Sequence, residues 1–292
     1  MKRRGITKST AAEGAPWKAE SNRSPAPSPI QSSRKRATIN GTPHVDVPPT
    51  KQRWSELIPP EEWAVYARAI QSVRETGADF LLGGAFGLAV YTGRWRNTKD
   101  IDFFVLPEVK DRIIAALEAA GFTDFHSELP YDRGWIYRAV QKGVIVDVIW
   151  GMPNRRTQVD ASWIQHATPA LVRKELLLTV PAEELVWIKL YVLQRDRSDW
   201  PDVLNLLHAT AARLNWKRLL DRMEQDVPLL TAILNVFLWL FPQQAEQIPE
   251  WVRHTLHLPT PGLPQAEFER VPLLDTRPWF AALQPAHEPM KI

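Results

Sequence analysis

The chain has 292 residues, 45% apolar and 24% charged, which suits a soluble protein of one large or two small domains. It contains no cysteine, which excludes disulfides and thiolate metal sites and fits a cytoplasmic location. The formal charge of +3 resides in the first 50 residues, with nine Lys and Arg against three Asp and Glu, so the remainder is net acidic.

That leader, residues 1–50, is rich in Ser, Pro, Thr and Ala and lacks the apolar run of a secretory signal. It buries too little to offset its ordering entropy and reads as a disordered tail, with nucleic-acid contact through "KRR" and "RKR" as the alternative. From residue 51 the pattern changes. "PPEEWAVYARAIQSVRETG" reads as a helix, with prolines before its first turn, acids at its start and Gly77 after its end. "DFLL" is a short strand running into Gly83–Gly84, and "AFGLAVYTG" is a helix. "IDFFVL" is a strand, and "PEVKDRIIAALEAAG" is a helix bounded by Pro107 and Gly121. "WIYRAVQKGVIVDVIWG" reads as a hairpin turning at Lys142–Gly143, and "KELLLTV" as another strand.

Beyond Pro181 the period is helical, through "PAEELVWIKLYVLQR", "SDWPDVLNLLHAT", "NWKRLLDRMEQ" and the apolar run from Val227 to Phe241. That run is too short to span a bilayer and holds a Pro and an Asn, so it reads as a core helix and no membrane partner is expected. The expected organisation is an α/β (α+β) catalytic domain over 51–180, a helical domain over 181–256 and a Pro-rich irregular tail over 257–292.

The chemistry concentrates in three places. Asp100 and Asp102 lie two apart in a strand-like run, so both point to one face while Ile101, Phe103 and Val105 point to the other. Two like charges at that spacing repel, and a divalent metal between them is the obvious remedy; exposed edge-strand acids or N-cap-like partners are the plain alternative. Gly83–Gly84, at a strand-to-helix junction, lets backbone approach an anion at a helix N-terminus. Asp147 is a third lone carboxylate in an apolar strand, either a site residue or one half of a buried salt bridge. Together they describe a metal-assisted phosphoryl or nucleotidyl transfer site.

These residues resemble the nucleotidyltransferase superfamily of DNA polymerase β-like fold, in which a Gly-Gly or Gly-Ser turn, a short helix and an acid-x-acid strand are followed by a third carboxylate. Gly83, Gly84, Asp100, Asp102 and Asp147 match in order. The longer spacing from Gly84 to Asp100, with "GRWRNTKDID" and "EELVWIKLYVLQRDRSDWPDV", looks most like the AbiEii-type toxin nucleotidyltransferases. In that branch a Lys on the first helix after the sheet and an Asp in a following D-x-x-D stretch fall at Lys189, Asp199 and Asp202.

The resemblance covers roughly residues 57 to 210 and implies a mixed sheet with flanking helices, followed by a C-terminal helical domain. It also implies Mg²⁺ or Mn²⁺ on Asp100, Asp102 and Asp147, with an NTP as substrate. Its acceptor would be tRNA, protein or a small molecule, and an antitoxin a partner. Nucleotide contacts are expected from Gly83, Gly84, Arg94, Arg96, Lys99 and Lys189, and catalytic roles from Asp100, Asp102, Asp147, Lys189 and Asp202.

Two positions depart from the pattern: Ala85 stands where a phosphate-contacting Ser is common, and Ser198 where a basic residue precedes the later Asp. Arg94, Arg96 and Lys99 also read as a solvated basic loop, and Asp199 as a helix cap. Lys189, the one charge in "LVWIKLYVL", needs an anion when buried: Asp199 or Asp202 in a structural pair, or the nucleotide phosphate. An antibiotic-type small-molecule nucleotidyltransferase and a non-catalytic binding protein on the same fold are the alternative functions.

Overall fold

In the computed structural model the described residues are 50–96, 98–259 and 270–275, together with two short paired strands, β1 (Thr38–Ile39) and β2 (Thr42–Pro43). The expectation of a disordered leader, and most of that of an irregular tail, lies outside them.

Eight further strands form one mixed sheet: β3 (Thr50–Gln52), β4 (Phe80–Leu82), β5 (Asp100–Val105), β6 (Thr123–Asp124), β7 (Ile136–Gln141), β8 (Val144–Ile149), β9 (Thr168–Val172) and β10 (Glu175–Thr179). Their order is β3-β9-β10-β4-β5-β8-β7-β6. The helices are α1 (Pro60–Glu75), α2 (Gly84–Thr92), α3 (Lys110–Ala119), α4 (Ala161–Gln165) and α5 (Ala182–Leu190), then α6 (Trp200–Thr210), α7 (Trp216–Met223), α8 (Val227–Leu240), α9 (Glu250–Thr255) and α10 (Val271–Leu274). Pro107–Val109 forms a separate 3₁₀ turn before α3, because the proline fixes φ but donates no N–H to a longer helix.

The strand period sorts the core into two. Ile101, Phe103 and Val105 of β5 pack with Phe80, Leu82, Val146 and Val148 under Val65, Tyr66, Ile70 and Val73 of α1 and Ile113 and Leu117 of α3. On the opposite face, Leu81, Phe104, Ile136, Ile149 and Leu178 join the helices from α5 onward in one apolar cluster that runs to Leu258 and Val271. The chain therefore passes from sheet to helices at Pro181 while the core continues across the junction. Glu184 of α5 is fully buried and takes Arg218 and Arg222 of α7, which fastens α7 to α5 by charge as well as by packing.

The hairpin turns as expected. Lys142 and Gly143 both have positive φ, 51° and 76°, the conformation of a two-residue type I′ turn. A two-residue loop fixes the register, setting Arg138 opposite Asp147. No helix among the described residues is long and apolar enough to cross a membrane.

Candidate active site

β5 is a central strand, flanked by antiparallel β4 and parallel β8. Asp102 is in register with Asp147 of β8, and Asp147 with Arg138 of β7, so one cross-strand row carries Asp102, Asp147 and Arg138. Asp100 lies two residues back on the same face and accepts a hydrogen bond from the Thr98 hydroxyl. The reading of Asp100 and Asp102 as edge-strand acids is not met, since β5 has a neighbour on each side.

α2 starts against this row. Gly83 donates its N–H to the Asp102 carbonyl at 3.0 Å, and Gly84, the first helical residue, has φ +52°. A Cβ on Gly84 would lie 1.6 Å from Asp102 Oδ2, and one on Gly83 would lie 2.2 Å from the Phe104 ring. Gly84 is thus required both by backbone conformation and by the close approach of a carboxylate, and Gly83 by the close approach of the Phe104 ring. Gly84→Ala is expected to displace Asp102 or the start of α2. A fall of several degrees in melting temperature, together with loss of Mg²⁺–NTP affinity by calorimetry, checks this.

The site opens into a cavity of about 310 Å³. Of the expected residues, Gly84, Arg96, Asp100, Asp102, Asp147 and Lys189 line it, with Ala85. Gly83, Arg94 and Lys99 do not. Arg94 reaches Asn205 Oδ1 of α6 at 3.0 Å, and Lys99 is exposed, its odd place in the strand alternation turning it from the face of Asp100. Trp95 between the two arginines is buried, stacked on Trp54 at 5.1 Å and edge-on to Phe86 at 4.9 Å, which anchors the loop.

Charges in and beside the cavity are largely matched. Arg138 donates to both Asp147 oxygens, Nε to Oδ1 at 2.8 Å and Nη2 to Oδ2 at 2.7 Å. Buried Lys189 donates to Asp199 Oδ2 at 2.8 Å and Asp202 Oδ2 at 2.7 Å. Arg96 approaches Asp202 at 3.4 Å and Arg197 approaches Asp199 at 3.3 Å. The structural pair is thus the arrangement Lys189 adopts, and Asp202, rather than lining the cavity, holds Lys189 from behind. The sequence reading missed Arg138, although the hairpin turn it identified already places Arg138 opposite Asp147.

Asp100 and Asp102 differ: among the described residues neither makes an ion pair. Burial, then Asp147 and Asp100, pushes the Asp102 carboxyl from the ordinary 3.8 up to about 8. Asp147 is also raised, by burial, against the lowering pull of Arg138. Burial alone would raise Asp199, but Lys189 and Arg197 hold it below the ordinary carboxylate value. No ready group of three His, Cys, Asp or Glu ligands occurs among the described residues. The donor chemistry nonetheless fits a hard cation at Asp100 and Asp102, two carboxylates on one strand face of the cavity that make no ion pair among the described residues.

A family model described as "Uncharacterised nucleotidyltransferase" matches residues 80–238, more than half of the chain, and the protein belongs to that family. Among solved structures, the chain is similar to the antibiotic-resistance factor ANT(2″)-Ia (13% identity, TM-score 0.42, covering 59% of this chain and 95% of that one). It is similar also to the lincosamide antibiotic adenylyltransferase LnuA in its lincomycin-bound form (15%, 0.38, 52% and 99%) and to JHP933 from Helicobacter pylori (13%, 0.34, 65% and 84%). Likeness of this degree carries nothing about substrate. No curated protein matches the sequence.

Proposed function

We propose that the protein transfers a nucleoside monophosphate from an NTP to a hydroxyl-bearing acceptor in a reaction that depends on Mg²⁺. The observation that carries this is the pair Asp100–Asp102, the unmatched carboxylates of a cavity in which every other acid has a cationic partner. A divalent metal bound there would supply charge neutralisation at the α-phosphate and the leaving pyrophosphate.

The protein's own groups do the rest. The first free N–H groups of α2, beginning at Gly84, face phosphate oxygens, and the missing Gly84 side chain lets Asp102 sit against that helix start. With Ala85 in place of a hydroxyl residue, that contact is backbone alone. Arg96 and Arg197, each largely exposed and held at 3.3–3.4 Å by a carboxylate, swing onto the triphosphate. Asp147, oriented by Arg138 and adjacent to Asp102 in register, takes the proton of the attacking hydroxyl. Lys189 positions Asp199 and Asp202 and thereby the two arginines.

The drawing together of Lys189, Asp199 and Asp202 supports an AbiEii-like type within the family, with toxin activity and an antitoxin partner as what that type implies. Incubation with α-labelled NTPs, Mg²⁺ and either total tRNA, protein or a small-molecule panel tests the reaction. Label on an acceptor with Mg²⁺ and none with EDTA is expected; transfer that persists in EDTA contradicts the proposal.

A further inference from the structure

The cavity is not uniform along the strands. At the end where β5 and β8 begin lie Arg96, Thr98, Gln194 and Arg197. Beyond the Asp102–Asp147–Arg138 row, the same strand face turns apolar: Phe104, Ile149 and Ile136 form the next row in register, with Trp135, Met152 and Pro153 past them. We propose that this apolar end receives the acceptor, and that the acceptor is an uncharged, ring-bearing hydroxyl compound.

The inference rests on the nucleotidyl-transfer reading and adds the substrate class. In an in-line displacement the attacking oxygen and the leaving pyrophosphate lie on opposite sides of the α-phosphorus. Pyrophosphate goes to the end that has Arg96 and Arg197, so the attacking hydroxyl comes from the end walled by Trp135. Its oxygen forms a bond to the α-phosphorus, the bond to the bridging oxygen breaks, and pyrophosphate leaves with that electron pair. The hydroxyl proton passes to Asp147.

The wall also says what it rejects. Its charged neighbour, Asp147, already has its charge balanced by Arg138, so the wall offers a polycation no net negative charge. Arg138 is equally balanced by Asp147, so this end of the cavity offers a phosphodiester backbone no net positive charge. One polar atom is left over: the indole Nε1 of Trp135 is buried and has no hydrogen-bond partner. That N–H is closed off from the cavity, so what the wall offers an acceptor ring is apolar contact rather than a hydrogen bond. The apolar end is part of the cavity of about 310 Å³, and a flat ring suits a wall of this composition.

The test uses the full chain with Trp135→Phe, which keeps a ring but removes the N–H, and Trp135→Ala. Each is supplied with α-labelled NTP, Mg²⁺ and one of three probe sets: tryptophol and 2-phenylethanol, tobramycin, or a short RNA. Label is expected on the neutral alcohols. It should fall at least tenfold in Trp135→Ala and less in Trp135→Phe, with Mg²⁺–NTP affinity by calorimetry within twofold of wild type in both. Label confined to tobramycin or RNA, no label on any probe by a protein that binds Mg²⁺–NTP, or transfer unchanged in Trp135→Ala overturns the inference. Tenfold weaker NTP binding in a folded Trp135→Phe also overturns it and assigns the wall to the nucleobase. A wild-type protein that does not bind Mg²⁺–NTP overturns the nucleotidyl-transfer reading itself, and this inference with it.

Discussion

Lys189→Met is expected to destabilise the protein by about 3–5 kcal/mol, the cost of stripping one partner from a buried ion cluster. Met matches the lysine in length and apolar character, so little packing is lost. What changes is that Asp199 and Asp202, both buried, lose an ammonium at 2.8 and 2.7 Å. Arg197 and Arg96 remain, at 3.3 and 3.4 Å, yet both are largely exposed and solvent weakens their attraction. At roughly 2–4 °C per kcal/mol for a domain of this size, the melting temperature should fall by about 10 °C. A thermal melt decides it. A Lys189→Met protein as stable as wild type, with weakened NTP binding, would instead make the lysine a direct phosphate ligand.

Asp102→Asn has the opposite sign in the absence of ligand. The folded protein binds the Asp102 proton more tightly than the unfolded chain does, since burial and two neighbouring acids move its pKa from 3.8 to about 8. Stability from this group is therefore fully present below the ordinary carboxylate value and is lost as pH rises towards 8. Asp147, raised in the same direction, adds to that slope, whereas Asp199, lowered, acts only at more acid pH. Asn removes the repulsion, so Asp102→Asn without metal should melt several degrees higher than wild type at pH 8, and the gap should close towards pH 5. The same substitution should reduce Mg²⁺-dependent transfer by at least a thousandfold, and Mg²⁺ should no longer raise the melting temperature. Equal melting at pH 5 and pH 8 in wild type would show that Asp102 already has a cationic partner.

Much of this was legible in the sequence, for reasons that differ from element to element. The β5 alternation fixed which residues share the face of Asp100, and the Lys142–Gly143 turn fixed the register of the hairpin. α1, α6, α7 and α8 follow the apolar period with ends close to those expected. β3 and β9 were not legible. Thr50–Gln52 is short and polar, and Thr168–Val172 carries a proline, so neither announces itself apart from the partner it pairs with. β6, two residues long, has the same difficulty. In the site, strand parity excluded Lys99 from the face of Asp100, a consequence the sequence already held. The engagement of Lys189 with both Asp199 and Asp202 was not readable, because it depends on how α6 turns back after the Gln194–Arg197 segment. Trp135, one of thirteen tryptophans, has nothing local to mark its unmatched N–H; only the packed structure does.

Asp100 and Asp102 are the residues proposed to hold the divalent metal. Electron paramagnetic resonance of Mn²⁺, titrated into wild type and an Asp100→Asn/Asp102→Asn double variant with a non-hydrolysable NTP, tests it most directly. One or two tightly held Mn²⁺ ions per wild-type chain and none in a folded double variant is the expected result. The same number of ions, held with the same affinity, in both proteins would contradict it.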